Sequence, residues 1–111
     1  MGVKIDDMAG KLNLKVINTG SEEREVLRGY VSDLLSDVMG NSREGDVWIT
    51  IQTHLNVIAV ASLKDHSAVL FAGGNMPGDE VIARAAEEGV ALLCSEESSF
   101  EIAGKIYELL K

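Results

Sequence analysis

Residues 47–74, VWITIQTHLNVIAVASLKDHSAVLFAGG, contain two short hydrophobic segments, each followed by a polar or glycine-rich turn. Val47–Ile51 and Val69–Ala72 are rich in β-branched and apolar residues, which is typical of buried strands. A third such segment is Ala91–Cys94, and the three begin at positions 47, 69 and 91, evenly spaced by 22 residues. Consecutive parallel strands need a crossover that is usually helical, so this spacing predicts three βα units in a row.

The crossovers between these strands carry helix signals of different strength. Asn56–Lys64 is apolar on nearly all sides, and its periodicity alone would also allow a strand. We predict a buried helix that Asn56 caps, because the segments on either side are parallel strands. The next helix begins at Pro77-Gly78-Asp79 and ends at Gly89, a residue that tolerates the left-handed conformation of a helix end.

The last helix has the clearest start. Ser98 and Glu101 match the capping-box pattern, in which each side chain bonds the backbone N–H of the other residue. Apolar residues then recur at steps of three and four, which predicts one buried face: Phe100, Ala103, Ile106, Tyr107 and Leu110.

The N-terminal half predicts a helix, a strand, a loop, a strand and a second helix: Val3–Leu12, Leu14–Asn18, Thr19–Glu25, Val26–Val31 and Ser32 to Gly40-Asn41. Ser32 is a candidate N-cap, because its hydroxyl can accept from a backbone N–H that the helix leaves unpaired. Asp33 beside it is either a further cap or part of a site. The whole pattern predicts an α/β fold, a single three-layer domain over residues 1–111, with a mostly parallel sheet and three C-terminal βα units.

The composition and net charge argue against some classes of binding partner. The chain has 111 residues, 46% of them hydrophobic and 25% charged, and a formal net charge of −8. The acidity argues against nucleic acid and anionic membrane surfaces, because both require clustered Lys and Arg. Cys94 is the only cysteine, and no signal-like segment or apolar run of about 20 residues occurs. We therefore expect a cytoplasmic protein without membrane contact.

The turns that follow the three strands predict where a site lies. Parallel strands joined by helices bring such turns to one edge of the sheet, where ligands of open α/β folds usually bind. Glycines there let the backbone approach a ligand, and the next helix offers its N-terminus to an anion. No Gly-Lys-Ser or Gly-Lys-Thr follows, so the turn is not a P-loop, and a plain tight turn is the alternative. The candidate ligand contacts are Thr53, His54, Gly73, Gly74 and Asn75.

The reactive side chains form no catalytic or metal-binding pattern. His54 either donates to a phosphate, acts as a base, or is a polar residue at a helix start. His66 is predicted to be an exposed loop residue. Cys94 precedes a helix N-terminus, but free cysteines are most often small buried hydrophobes. No His-x-x-x-His or Cys-x-x-Cys pair occurs, so we predict no metal, no cofactor and no catalytic residue.

From Gly29 onward the run of motifs resembles a DRTGG domain. Three segments carry the resemblance: DVWITIQTH (46–54), VLFAGGNMP (69–77), and ALLCS (91–95) with FEIA (100–103). The Asp-Arg pair of the family name corresponds here to Thr53 and His54. Its Thr-Gly-Gly corresponds to Ala72-Gly73-Gly74, so only the two glycines match.

The resemblance implies both a fold and a class of function. The family includes the N-terminal domain of HPr kinase/phosphorylase, and the resemblance implies an α/β fold like that domain and a homodimer. The first hypothesis is a non-catalytic regulatory domain that senses a nucleotide or a small anionic metabolite. The alternative is an interaction or assembly subunit of a partner enzyme, without its own ligand. A small enzyme that uses His54 or Cys94 is the third.

Overall fold

The computed structural model describes residues 2–20 and 24–111. In these residues the strands are β1 (Val3–Lys4), β2 (Lys15–Asn18), β3 (Glu25–Val26), β4 (Arg28–Val31), β5 (Asp46–Thr50), β6 (Ala68–Phe71) and β7 (Leu92–Cys94). The helices are α1 (Ile5–Leu12), α2 (Leu35–Asn41), α3 (Asn56–Leu63), α4 (Asp79–Glu88) and α5 (Ser99–Leu110). None of these helices is long and apolar enough to cross a membrane.

A five-stranded sheet of order β2-β7-β6-β5-β4 forms the centre of the fold. β4, β5, β6 and β7 run parallel, so the three predicted βα units are confirmed. β2 pairs antiparallel with β7 and makes the sheet mixed. β1 and β3 form a separate antiparallel pair, in which Val3 lies opposite Val26.

Helices cover both faces of the sheet. Successive side chains of a strand point to opposite faces, so each strand contacts both layers of helices. In β5, Val47 and Ile49 pack with α1 and α5, whereas Trp48 packs with α2, α3 and α4. Strands that are covered on both faces are apolar at nearly every position, which is why these strands show no alternation in the sequence. The predicted α/β class with a mostly parallel sheet is confirmed.

The segment predicted as one strand, Val26–Val31, is divided at Leu27. Its first residue pairs with β1, whereas β4 begins at Arg28 and pairs with β5. The N–H of Leu27 donates to the Gly45 carbonyl at 2.9 Å, and Gly45 has a positive φ of 87°. The prediction of a single strand is wrong, because Val26 pairs with β1 in one sheet whereas Arg28 pairs with β5 in the other.

The N-terminal elements are shorter than predicted. Val3 and Lys4 pair with β3, so α1 begins at Ile5. The predicted loop Thr19–Glu25 ends early, because Glu25 lies in β3. Residues 21–23 of that loop lie outside the described residues.

The two ends of α2 differ from the prediction. The Ser32 hydroxyl accepts from the Leu34 N–H at 3.2 Å, and α2 has no side-chain cap at its N-cap position. Gly40-Asn41 remains helical, and the helix ends where Ser42 becomes extended. Buried Ser42 donates to the Val38 carbonyl through both its N–H and its hydroxyl, so this helix end needs no left-handed residue.

The start and end of α4 and the start of α5 lie where the sequence predicted. Gly89 ends α4 with a φ of 72°. Ser98 is the N-cap of α5, and its hydroxyl accepts from the Glu101 N–H at 3.2 Å. The Glu101 carboxylate accepts from the Ser98 hydroxyl at 3.2 Å, and not from the Ser98 N–H that the capping-box pattern predicted.

The buried face of α5 is rotated from the predicted one. Ile102 and Ile106 are buried, whereas Phe100 and Tyr107 are 88% and 70% exposed. Sequence spacing permits more than one apolar stripe on this helix, and packing against the sheet selects one of them.

Alanine substitutions at two glycines are expected to change stability in opposite directions. Gly45→Ala should lower the free energy of unfolding by about 1–2 kcal/mol, because an L-residue is strained at positive φ. The added Cβ would also lie 2.7 Å from Leu27 Cδ1. Gly104 lies in α5, and no atom outside its own helix backbone lies within 4 Å of an added Cβ. Gly104→Ala should therefore raise the free energy of unfolding by about 1 kcal/mol. Urea denaturation measures both, and equal effects at the two sites would contradict the assigned turn.

Candidate functional site

The carboxyl ends of β5, β6 and β7 lie next to one another. The Ala72 N–H donates to the Thr50 carbonyl at 3.0 Å, and the Ser95 N–H donates to the Phe71 carbonyl at 2.9 Å. The three predicted turns therefore start from one edge of the sheet, which we call the carboxyl edge. This is the edge at which open α/β folds usually bind ligands.

The glycine turn after β6 is fixed by the loop that follows β7. Gly73 and Gly74 have positive φ values of 69° and 77°, which explains why glycine occupies both positions. The Gly73 N–H donates to the Glu97 carbonyl at 2.7 Å, and the Gly74 N–H donates to the Ser95 carbonyl at 2.9 Å. A ligand that used these two N–H groups would have to replace bonds that the protein already makes.

Asn75 completes this turn. Its Nδ2 donates to the Ala72 carbonyl at 2.7 Å, and its backbone N–H donates to the same carbonyl at 3.3 Å. The side chain is exposed, and its amide oxygen is an acceptor that faces no competing bond among the described residues.

The turn after β5 carries the other two candidate residues. His54 is exposed, and its Nδ1 accepts from the Asn56 N–H at 3.1 Å, so His54 and not Asn56 serves the start of α3. A neutral imidazole that accepts at Nδ1 carries its proton on Nε2, which leaves an N–H donor for a ligand. Thr53 beside it is half-buried.

Asp33 holds this turn in place, a role that the sequence left open. Its Oδ1 accepts from the Thr50 hydroxyl at 2.7 Å and from the Ile51 N–H at 2.9 Å. The carboxylate therefore ties the loop after β4 to the end of β5 and does not cap α2. The position beside a candidate cap gave no sequence signal for this longer-range contact.

The electrostatics of the carboxyl edge disfavour a bare phosphate. A Cβ on Gly74 would lie 3.1 Å from Glu96 Oε1, so an acidic side chain stands directly over the glycine turn. Ile51 and Met76 at the same edge are about half exposed, at 48% and 47%. Exposed apolar surface next to hydrogen-bonding groups suits the base or sugar of a ligand better than its phosphates.

Cys94 is a buried residue of the core, as the commoner of its two interpretations predicted. It ends β7 and is 6% exposed, and burial raises the pKa of its thiol. A raised pKa keeps the thiol protonated at neutral pH, which makes it a poor nucleophile. In residues 2–20 and 24–111, no group of three or more His, Cys, Asp or Glu side chains is arranged to hold a metal ion.

His66 is buried, and its prediction as an exposed loop residue is wrong. It is 3% exposed and contacts the Trp48 ring edge-on, with the ring centroids 5.6 Å apart. Its Nε2 lies 2.8 Å from the Ser42 hydroxyl, which already donates to the Val38 carbonyl. The hydroxyl must therefore accept from Nε2–H, and Nδ1 is a buried acceptor with no hydrogen-bond partner among the described residues.

The residues next to His66 in the sequence gave no sign that its side chain is buried. Asp65 and Ser67 flank it, and a polar run between two apolar elements is typical of a surface loop. Only the approach of Trp48 and Ser42 from other elements encloses the ring.

Comparison with known proteins finds a shared fold in a solved structure. No protein-family model matches the chain, and no curated protein matches its sequence. A similar solved structure is that of the CBS and DRTGG domains of the regulatory region of Clostridium perfringens pyrophosphatase, complexed with the activator diadenosine tetraphosphate. The TM-score is 0.74 at 18% identity, over 94% of this chain and 45% of that chain. The two chains share a fold, and this chain spans less than half of the neighbour's length.

Burial of His66 should make the protein less stable in mild acid. Burial lowers the pKa of His66, with the nearby Asp46 opposing that effect. Because the unfolded chain then binds the proton more tightly, the free energy of unfolding should fall as pH drops below the ordinary histidine pKa of about 6.5. His66→Gln should reduce this loss, since an amide can still donate to Ser42.

Urea denaturation between pH 7.5 and 5.0 measures the effect, with His54→Gln as the control that removes an exposed imidazole. If the wild type and His66→Gln lost stability in parallel, the buried histidine would not be the cause.

Proposed function

We propose that this chain is a non-catalytic regulatory domain of the DRTGG type that binds a nucleotide or a small anionic metabolite. The observation that carries the proposal is the shared fold with a regulatory region whose activator is diadenosine tetraphosphate. The two glycines that match the family motif form a tight turn at the carboxyl edge, where open α/β folds usually bind ligands. The proposed single domain over residues 1–111 and its likeness to the HPr kinase/phosphorylase N-terminal domain belong to the same proposal.

The side chains at the carboxyl edge support binding over catalysis. The His54 Nδ1 is engaged by a backbone N–H, and the Cys94 thiol is buried with a raised pKa. No base, nucleophile and orienting group are thus brought together by these two residues. We infer that the domain is not an enzyme and needs no cofactor.

The proposed contacts are Thr53, His54, Gly73, Gly74 and Asn75. His54 offers its Nε2–H, and Asn75 offers its amide oxygen. The Glu96 carboxylate above Gly74 would accept from hydroxyl or amino groups. These groups suit the base and sugar of a nucleotide, whereas the two glycine N–H groups are already bonded within the protein.

A second candidate function is assembly, either as a homodimer or with a partner enzyme. The exposed Phe100 and Tyr107 on α5 and the half-exposed Val31 on the edge strand β4 favour it. Large apolar side chains at the surface are common at protein interfaces. Ligand binding and assembly are compatible functions, since a regulatory domain acts through the protein that it contacts. We also propose that the protein is cytoplasmic.

Thermal-shift measurements with diadenosine tetraphosphate, ATP, AMP and adenosine test the binding function. A ligand present at a hundred times its Kd should add about 2.7 kcal/mol to the free energy of unfolding and raise Tm by several degrees. Asn75→Ala should weaken binding about tenfold by removing a hydrogen-bonding side chain. Asn41→Ala, at the end of α2, removes the same side-chain type away from this edge and should leave the shift unchanged.

The same measurements can contradict the proposal. If none of the four compounds raised Tm, nucleotide sensing would lose its support. Recovery of the chain in a stoichiometric complex with one enzyme would then favour the assembly function.

A further inference from the structure

We propose an anion site, separate from the carboxyl edge and at the opposite edge of the sheet from the glycine turn, that binds the phosphates of a small molecule. Three of the four arginines of this acidic chain, Arg24, Arg28 and Arg43, line one groove of about 600 Å³. The groove lies where β4, β5 and β6 begin, and we call it the arginine groove. Its volume is in the range of pockets that bind small molecules.

Arg28 is held rigidly by a buried carboxylate. Its Nε lies 3.2 Å from Asp46 Oδ1, and Asp46 is 2% exposed. The other carboxylate oxygen accepts from the Arg43 N–H at 2.7 Å. Arg28 also donates to the Glu44 carbonyl, so two residues of the segment that leads into β5 hold its guanidinium.

Arg24 bonds to the residues that lead into β6, through a backbone carbonyl and the exposed carboxylate of Asp65. Its Nη1 donates to the His66 carbonyl at 2.8 Å, and its Nη2 donates to Asp65 Oδ1 at 2.7 Å. A guanidinium has five N–H donors, so Arg24 and Arg28 each keep donors beyond the bonds that position them. Donors that are positioned before a ligand arrives lose little entropy when it binds.

The guanidinium of Arg43 provides the groove with a positive charge that no carboxylate of the described residues offsets. Its side chain is exposed and makes no hydrogen bond or ion pair within residues 2–20 and 24–111, while its backbone N–H is anchored to Asp46. The Ser67 hydroxyl, also in the groove, is already used by the Glu25 carbonyl at 2.6 Å. Arg43 is therefore the residue whose removal tests the groove with least damage to the fold.

The neighbouring acids set the strength and the character of the site. Asp46 and Asp65 offset the charges of Arg28 and Arg24, and Glu25 and Glu44 also line the groove. Recognition therefore depends on directed N–H groups, and a forked guanidinium matches the oxygens of a phosphate in geometry. Binding should weaken as salt is added, because the groove is open to solvent.

The two edges of the sheet differ in what they offer a phosphate. At the carboxyl edge the glycine N–H groups are bonded internally and Glu96 stands over them. At the arginine groove, guanidinium donors remain available. This inference deepens the proposed function and rests on it for the choice of phosphate compounds as the ligand class.

Isothermal titration calorimetry at low salt with pyrophosphate, ATP and adenosine tests the groove. Pyrophosphate and ATP should bind and adenosine should not use this site. Arg43→Gln should weaken pyrophosphate binding about tenfold, because it removes a charged donor and keeps the backbone N–H that Asp46 accepts. Glu44→Gln, which removes a nearby negative charge and keeps the carbonyl that Arg28 uses, should strengthen it.

Arg84→Gln is the matched control. It removes the fourth arginine, which lies on α4 and pairs with Glu87 outside the groove. Equal weakening by Arg84→Gln and Arg43→Gln would show a general charge effect and overturn the site. So would the absence of pyrophosphate binding to the wild type.

These variants test the arginine groove and the carboxyl edge independently, so one proposal can be rejected while the other is kept. ATP binding that is sensitive to Asn75→Ala and insensitive to Arg43→Gln would keep the proposed function and reject the groove. Pyrophosphate binding that is sensitive to Arg43→Gln, with no nucleotide preference over pyrophosphate, would keep the groove and reject nucleotide sensing.

Discussion

Every residue of β5 is buried, so the polar groups of this strand need partners inside the protein. Asp46 pairs with Arg28, the Trp48 indole N–H donates to the Ser32 carbonyl at 2.8 Å, and the Thr50 hydroxyl donates to Asp33. All three partners come from β4 and the turn that follows it. Loss of one partner would leave a buried polar group unpaired, at a cost of about 1–3 kcal/mol.

The same bonds organise both ends of the sheet. Asp33 fixes the start of the turn that carries Thr53 and His54, while Asp46 fixes Arg28 and the backbone of Arg43. The candidate contacts at the carboxyl edge and the arginine groove therefore depend on one pair of strands, β4 and β5.

A shared fold does not by itself assign a function, because one fold carries many kinds of site. In this chain the distribution of charge supplies the further argument. The chain has a formal net charge of −8, yet three arginines from separate positions line one groove. Two of them are paired with carboxylates, which fix their guanidinium groups in place and offset part of their charge.

The three βα units and their turns could be predicted from the amino-acid sequence alone, because buried parallel strands are continuously apolar and the capping signals of α4 and α5 are local. Tertiary structure decided what depends on contacts between distant residues. Val26 and Arg28 join different sheets, α5 buries Ile102 in place of Phe100, and His66 is enclosed by Trp48 and Ser42. The arginine groove belongs to the same class, since residues 24, 28 and 43 come together only when β4 pairs with β5.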